Sequence, residues 1–171
     1  MALKLYRLTK NDEEKFNEFI RDWKTLPTIY MDFDALDKYD GDFDKFLVLL
    51  DEIADKKNKY PETYYFLMEE TTIYGFAVIR PKLNEFTTNH GGNILYGVPP
   101  RFRNQGFGSV CLREAIVKAR EHGIKDVLLT CHKLNVTAAR VSMNNGAVQD
   151  SEGEITLENG DKVRKFWVKE K

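Results

Sequence analysis

Val98-Pro99-Pro100-Arg101-Phe102-Arg103-Asn104-Gln105-Gly106-Phe107-Gly108 reads as the end of a strand, a basic glycine-containing turn and the start of a helix. Before it, Asn93-Ile94-Leu95-Tyr96-Gly97-Val98 is a short apolar run between Gly91-Gly92 and Pro99-Pro100, which predicts a strand. After it, Leu112, Ala115, Ile116 and Ala119 recur at i, i+3, i+4 and i+7, which predicts an amphipathic helix. Such a junction aims backbone N–H groups and the positive end of a helix dipole at one spot, which suits a phosphate. Gly106 and Gly108 allow a ligand close to the backbone, and Arg103 can add a charge-assisted contact. Asn104, Gln105 and Phe107 belong to the same expected site through their amides.

Two nucleotide motifs compete for this turn and neither fits. A P-loop needs Lys-Ser or Lys-Thr after the glycines, and none follows. A dinucleotide fingerprint needs a third glycine where Cys111 stands, and an acid ending the next strand, whereas Asp126 opens it. What Arg103-x-x-Gly106-x-Gly108 preceded by Val98-x-Pro100 resembles is the acyl-CoA-binding segment of the GNAT superfamily of N-acetyltransferases.

Composition narrows the class. The 171 residues suffice for one domain over 1–171 with a sizeable core. Twenty-six Lys+Arg face 27 Asp+Glu with no basic block, which argues against nucleic acid as partner. The N-terminus lacks the apolar core of a signal peptide, and no run has the length of a membrane span. Cys111 and Cys131 suggest no disulfide framework, and no metal site is expected. The expected location is cytoplasmic.

The remaining elements follow in order. Residues 3–8 read as a first strand, and Asn11 with Glu14 as a capping box for a helix burying Phe16, Phe19, Ile20 and Trp23. An acidic and aromatic stretch around Tyr30, Asp34 and Tyr39 reads as a loop or short helix. A second helix turns Phe43, Phe46, Leu47, Leu50, Ile53 and Ala54 inward. Residues 64–68 and 73–79 predict an antiparallel hairpin, and 82–92 a polar loop. Asp126 to Cys131 predicts a buried strand parallel to the 93–98 strand, followed by a short helix over 135–145. Segments 147–154, 155–157 and 163–168 are strand-like, with Asn159-Gly160 as a two-residue hairpin signal. The sum is an α/β fold with a mixed central sheet of about seven strands flanked by about four helices, which matches the GNAT fold over nearly the whole chain.

The resemblance implies acetyl-CoA as cofactor and a small-molecule or peptide amine as acceptor, with a homodimer left open. It places the pantetheine arm against Tyr96-Gly97-Val98, where the backbone N–H of Val98 would polarise the thioester carbonyl. It assigns Asn135, just past the following strand, to the pantetheine; on its own that residue is also an ordinary helix N-cap. Family members often carry a Tyr as general acid seven residues beyond this Asn, and here the position is Ser142, a poor proton donor. Cys131 and His132 stand nearby as alternatives, although Cys131 also suits a small core residue, and His132 and His90 suit solvated loops. Glu69, Glu70 and Glu85 are candidate bases acting through water, and residues 30–44 a candidate acceptor wall. A non-catalytic acyl-CoA-binding module is the reading from a different class, supported by the Ser142 departure.

Overall fold

Two antiparallel sheets meet at one point. The computed structural model describes residues 1–25 and 34–171. The first sheet has the order β1-β2-β3-β4, from β1 (Lys4–Tyr6), β2 (Thr63–Met68), β3 (Ile73–Ile79) and β4 (Ile94–Gly97). The second has the order β5-β7-β6, from β5 (Val127–His132), β6 (Val148–Thr156) and β7 (Lys162–Val168). Among the described residues six α-helices accompany them: α1 (Glu13–Trp23), α2 (Asp34–Asp37), α3 (Phe43–Ala54), α4 (Glu85–Asn89), α5 (Phe107–Glu121) and α6 (Val136–Asn144). The α/β class and the seven strands are as expected; α2 and α4, of 4 and 5 residues, are the short helices that periodicity does not resolve.

Each face of the first sheet has its own core. On one, α1 and α3 lay Phe16, Phe19, Trp23, Phe43 and Phe46 over Phe66 and Phe76, with Phe16 stacked on Phe46 at 5.0 Å and edge-on to Phe66 at 5.7 Å. On the other, α5 buries Cys111, Leu112, Ala115 and Ala119 completely, and the small Cys111, Ala115 and Ala119 let the helix pack close to β3 and β4. Phe107 stacks on Tyr74 of β3 at 4.3 Å and so fixes the first turn of α5 on the sheet.

Three local expectations are corrected. The capping pair is Thr9 with Asp12 and it closes the 3₁₀ turn Lys10–Asp12 that leads into α1: Asp12 Oδ2 accepts both the Thr9 N–H and hydroxyl, and Asp12 also pairs with Lys15 at 2.7 Å. Segments 147–154 and 155–157 form one strand, β6, with a bulge between Gln149 and Glu154. Its hairpin to β7 is closed by Leu157 and Asp161 at 2.7 Å, with Gly160 at φ +87°, so that three residues form the loop.

The largest correction concerns the centre. β5 makes no parallel ladder with β4; a single antiparallel bridge, Gly92 to Leu129, joins the two sheets. Gly91 and Gly92 both have positive φ (93° and 70°), which turns the chain across Leu128 before β4 begins. Buried Asn93 completes the joint. Its N–H donates to the Leu128 carbonyl, its Oδ1 accepts the Leu128 N–H, and its side-chain amide donates to the Arg80 carbonyl at the end of β3.

Candidate active site

Away from that joint the two sheets part. Along β4, Ile94 is buried while Leu95, Tyr96 and Gly97 are partly exposed. Along β5, Val127, Leu128 and Leu129 are buried, Thr130 and Cys131 partly exposed, and His132 exposed. Exposure rises in both strands in the same direction, as it must where a cleft opens between them.

The backbone of β4 is turned toward that cleft at alternate residues. The Arg80 N–H donates to the Asn93 carbonyl at 2.8 Å, and the register pairs Val78 with Leu95 and Phe76 with Gly97. In an antiparallel ladder this alternation leaves the amides of Tyr96 and Val98 facing away from β3. The N–H of Val98 has no hydrogen-bond partner among the described residues, and its carbonyl accepts from Arg103 Nε at 3.0 Å. Gly97 is held small by its surroundings: a Cβ there would lie 2.6 Å from the Trp23 ring.

At the mouth of the cleft stands the basic turn. A 3₁₀ turn, Pro100–Phe102, is tied to α1 through Arg101, which pairs with Glu18 at 2.6 Å. Gln105 donates to the Arg101 carbonyl at 2.9 Å, Asn104 takes the left-handed conformation at φ 58°, and Gly106 caps α5 at φ 87°. The consequence is a run of donors. The N–H groups of Asn104, Gln105, Gly106, Phe107 and Gly108 have no partner among the described residues, and they stand at the positive end of a 15-residue helix. A Cβ on Gly106 would meet nothing within 4 Å, so the space beside these amides is open. The turn therefore fits a pyrophosphate, with the exposed guanidinium of Arg103 alongside.

The remaining candidates fall as follows. Asn135 begins α6 and its Oδ1 accepts the Ala138 N–H at 3.0 Å, so it caps the helix and keeps its amide N–H₂ for another partner. Ser142 is buried and donates its hydroxyl proton to the Ala138 carbonyl at 2.9 Å, which leaves it only acceptor capacity. Burial pushes the Cys131 thiol up, against the opposing charge of Arg164, so it is no ready thiolate. His132 accepts the Leu134 N–H, and His90 stacks on Phe86 at 4.0 Å. Glu69 accepts from the Tyr74 hydroxyl, Glu70 from the terminal ammonium, and Glu85 lies exposed in the first turn of α4.

In the acidic and aromatic stretch, residues 26–33 lie outside the described residues. Of the rest, Tyr39 is buried with its hydroxyl on Asn17 Oδ1, and Asp42 caps α3 through the Lys45 N–H. Between α1 and this stretch lies an open pocket of about 550 Å³ bordered by Asn17, Arg21, Lys24, Tyr39 and Asp40. Asn93 carried no signal of function in the sequence beyond a polar residue opening an apolar run after two glycines. Among the described residues no helix is long and apolar enough to cross a membrane.

A model described as the acetyltransferase (GNAT) family matches residues 17–143. No curated protein matches the chain. Among solved structures, a ribosomal-protein alpha-N-acetyltransferase in complex with coenzyme A is similar at TM-score 0.68 and 15% identity, over 97% of this chain and 93% of that one. An acetyltransferase of the GNAT family from Streptococcus pneumoniae is similar at TM-score 0.61 and 21% identity, over 98% and 99%. A spermidine N-acetyltransferase variant from Vibrio cholerae is similar at TM-score 0.64 and 14% identity, over 97% and 94%.

Proposed function

The chain belongs to the acetyltransferase (GNAT) family of acetyl-CoA-dependent enzymes, and from that premise we propose that it moves the acetyl group to a primary amine by direct attack in a ternary complex. The observation that carries the proposal is the run of unpaired amides from Asn104 to Gly108 at the start of α5, opening onto the cleft between β4 and β5. Bound there, acetyl-CoA supplies an activated thioester.

The chain's own groups divide the work. The turn amides and Arg103 hold the pyrophosphate, and Asn135 offers its amide to the pantetheine from the far side of the cleft. Tyr96 and Val98 present backbone to the cleft, and the free N–H of Val98 polarises the acetyl carbonyl as negative charge develops on its oxygen. Holding amine and acetyl group together supplies much of the acceleration through orientation. The acceptors named for similar structures, a ribosomal protein and spermidine, both present amines and frame the class to test.

Saturating acetyl-CoA, at about 100 times its Kd, is expected to stabilise the fold by about 2.7 kcal/mol. For a chain of this length that raises the Tm by roughly 5–10 °C. ATP and NAD are expected to do far less, and equal stabilisation by ATP overturns the acetyl-CoA assignment. Thiol release from acetyl-CoA across a panel of amines then identifies the acceptor. Binding without transfer to any amine would instead make the chain an acyl-CoA-binding module.

Arg103→Ala is expected to weaken CoA binding by about 1.5–3 kcal/mol, the range for a hydrogen bond to a charged group. Titration calorimetry checks it, and an unchanged Kd removes Arg103 from the site.

A further inference from the structure

Tyr96, partly exposed on β4, has a hydroxyl with no hydrogen-bond partner among the described residues. Its side chain leaves β4 on the face covered by α5, with Cys111 behind it and Cys131 across the cleft on β5. It lies two residues before Val98 and therefore on the same side of the strand. We propose that the Tyr96 hydroxyl donates a hydrogen bond to the sulfur of coenzyme A in this cleft and stabilises it as the departing thiolate. This rests on reading the cleft as the acetyl-CoA site.

Two donors near the cleft are committed elsewhere. Ser142 spends its proton on the Ala138 carbonyl, and the Cys111 thiol donates to the Phe76 carbonyl at 3.3 Å. The Thr130 hydroxyl oxygen accepts the Gly91 N–H at 2.6 Å, which holds that side chain on the joint side of the cleft.

The surroundings also call for a donor. Burial pushes the phenol of Tyr96 and the thiols of Cys111 and Cys131 up, which marks this wall as one that disfavours anions. A sulfur leaving into it with the electron pair of the broken C–S bond needs a hydrogen bond to offset lost hydration. The same burial keeps the phenol protonated across the physiological range, so the donor is always present. Protons balance without consuming Tyr96: the acceptor nitrogen loses one on becoming an amide, the sulfur gains one on becoming a thiol, and the tyrosine only lends its hydrogen bond.

The test uses coenzyme A itself and no acceptor. With wild-type protein saturated by coenzyme A, the bound thiol is titrated by its thiolate ultraviolet absorbance, and the titration is repeated with Tyr96→Phe. The donor lowers the apparent pKa of the bound thiol, so the variant is expected to titrate about one pH unit higher than wild type. The Tm of the unliganded variant is expected to stay unchanged, since no bond within the fold is lost. Identical titrations in the two proteins overturn the proposal, and so does a Tm several degrees lower in Tyr96→Phe, which would show the hydroxyl already engaged in the fold. Failure of the wild type to bind coenzyme A is a different result, and it removes the function proposed for the cleft.

Discussion

Gly92→Ala is expected to lower stability by at least about 3 kcal/mol, among the larger effects a single methyl can have. The backbone at Gly92 has φ +70°, a conformation that costs an L-residue about 1–2 kcal/mol. The added Cβ would also lie 2.3 Å from the Leu128 carbonyl oxygen and 2.8 Å from its carbon, both backbone atoms that no rotamer change can move. Relief requires the two sheets to separate where they are joined. That breaks the Asn93 N–H bond to Leu128 and the Leu128 N–H bond to Asn93 Oδ1, each 2.8 Å long, and leaves buried groups unsatisfied. Gly123 is the control, with φ +81° and nothing within 4 Å of its Cβ, so Gly123→Ala is expected to cost only about 1–2 kcal/mol. Urea unfolding of both variants checks the difference. Equal midpoints would mean that the joint between the sheets is soft.

Gly106→Val is expected to weaken coenzyme A binding at least about a hundredfold, close to 2.7 kcal/mol. Here the added Cβ meets no protein atom, since nothing stands within 4 Å of it. The side chain occupies instead the space through which the amides of residues 104–108 reach a phosphate. Some stability is also lost, about 1–3 kcal/mol, because φ +87° suits a branched residue poorly. Binding is therefore compared at a temperature where both proteins are folded, by titration calorimetry. A Kd within about threefold of wild type, less than 1 kcal/mol, would place the pyrophosphate elsewhere.

The local structure of the candidate site was legible because it is written locally. A strand, a glycine turn and a helix start within eleven residues leave few arrangements for the amides between them, and Asn135 declares itself as a cap whatever else it does. The cores were legible for the same reason: Phe16, Phe19, Ile20 and Trp23 can share a face only in a helix. What stayed hidden depends on contacts between distant segments. Nothing around Ile94 says that β4 has a partner on one side only, because that follows from Gly91 and Gly92 turning the chain against Leu128, some 35 residues on. The idle hydroxyl of Tyr96 and the engaged one of Ser142 are equally invisible until partners are in place. Before α1 the sequence misled, because Thr9 with Asp12 forms a capping pair two residues ahead of Asn11 with Glu14, and it is the pair the chain uses.

The chain carries two tryptophans, and they lie on opposite sides of the joint. Trp23 is buried in the first core with its ring against Gly97, next to Val98 on the strand that bounds the cleft. Trp167 lies in β7 of the other sheet, with its indole N–H on Asp150 and Lys169 over its ring. Each sheet thus has its own fluorophore. Replacing either by Phe leaves tryptophan emission from one sheet alone, so the response to a ligand can be timed separately in the two sheets without attaching a dye.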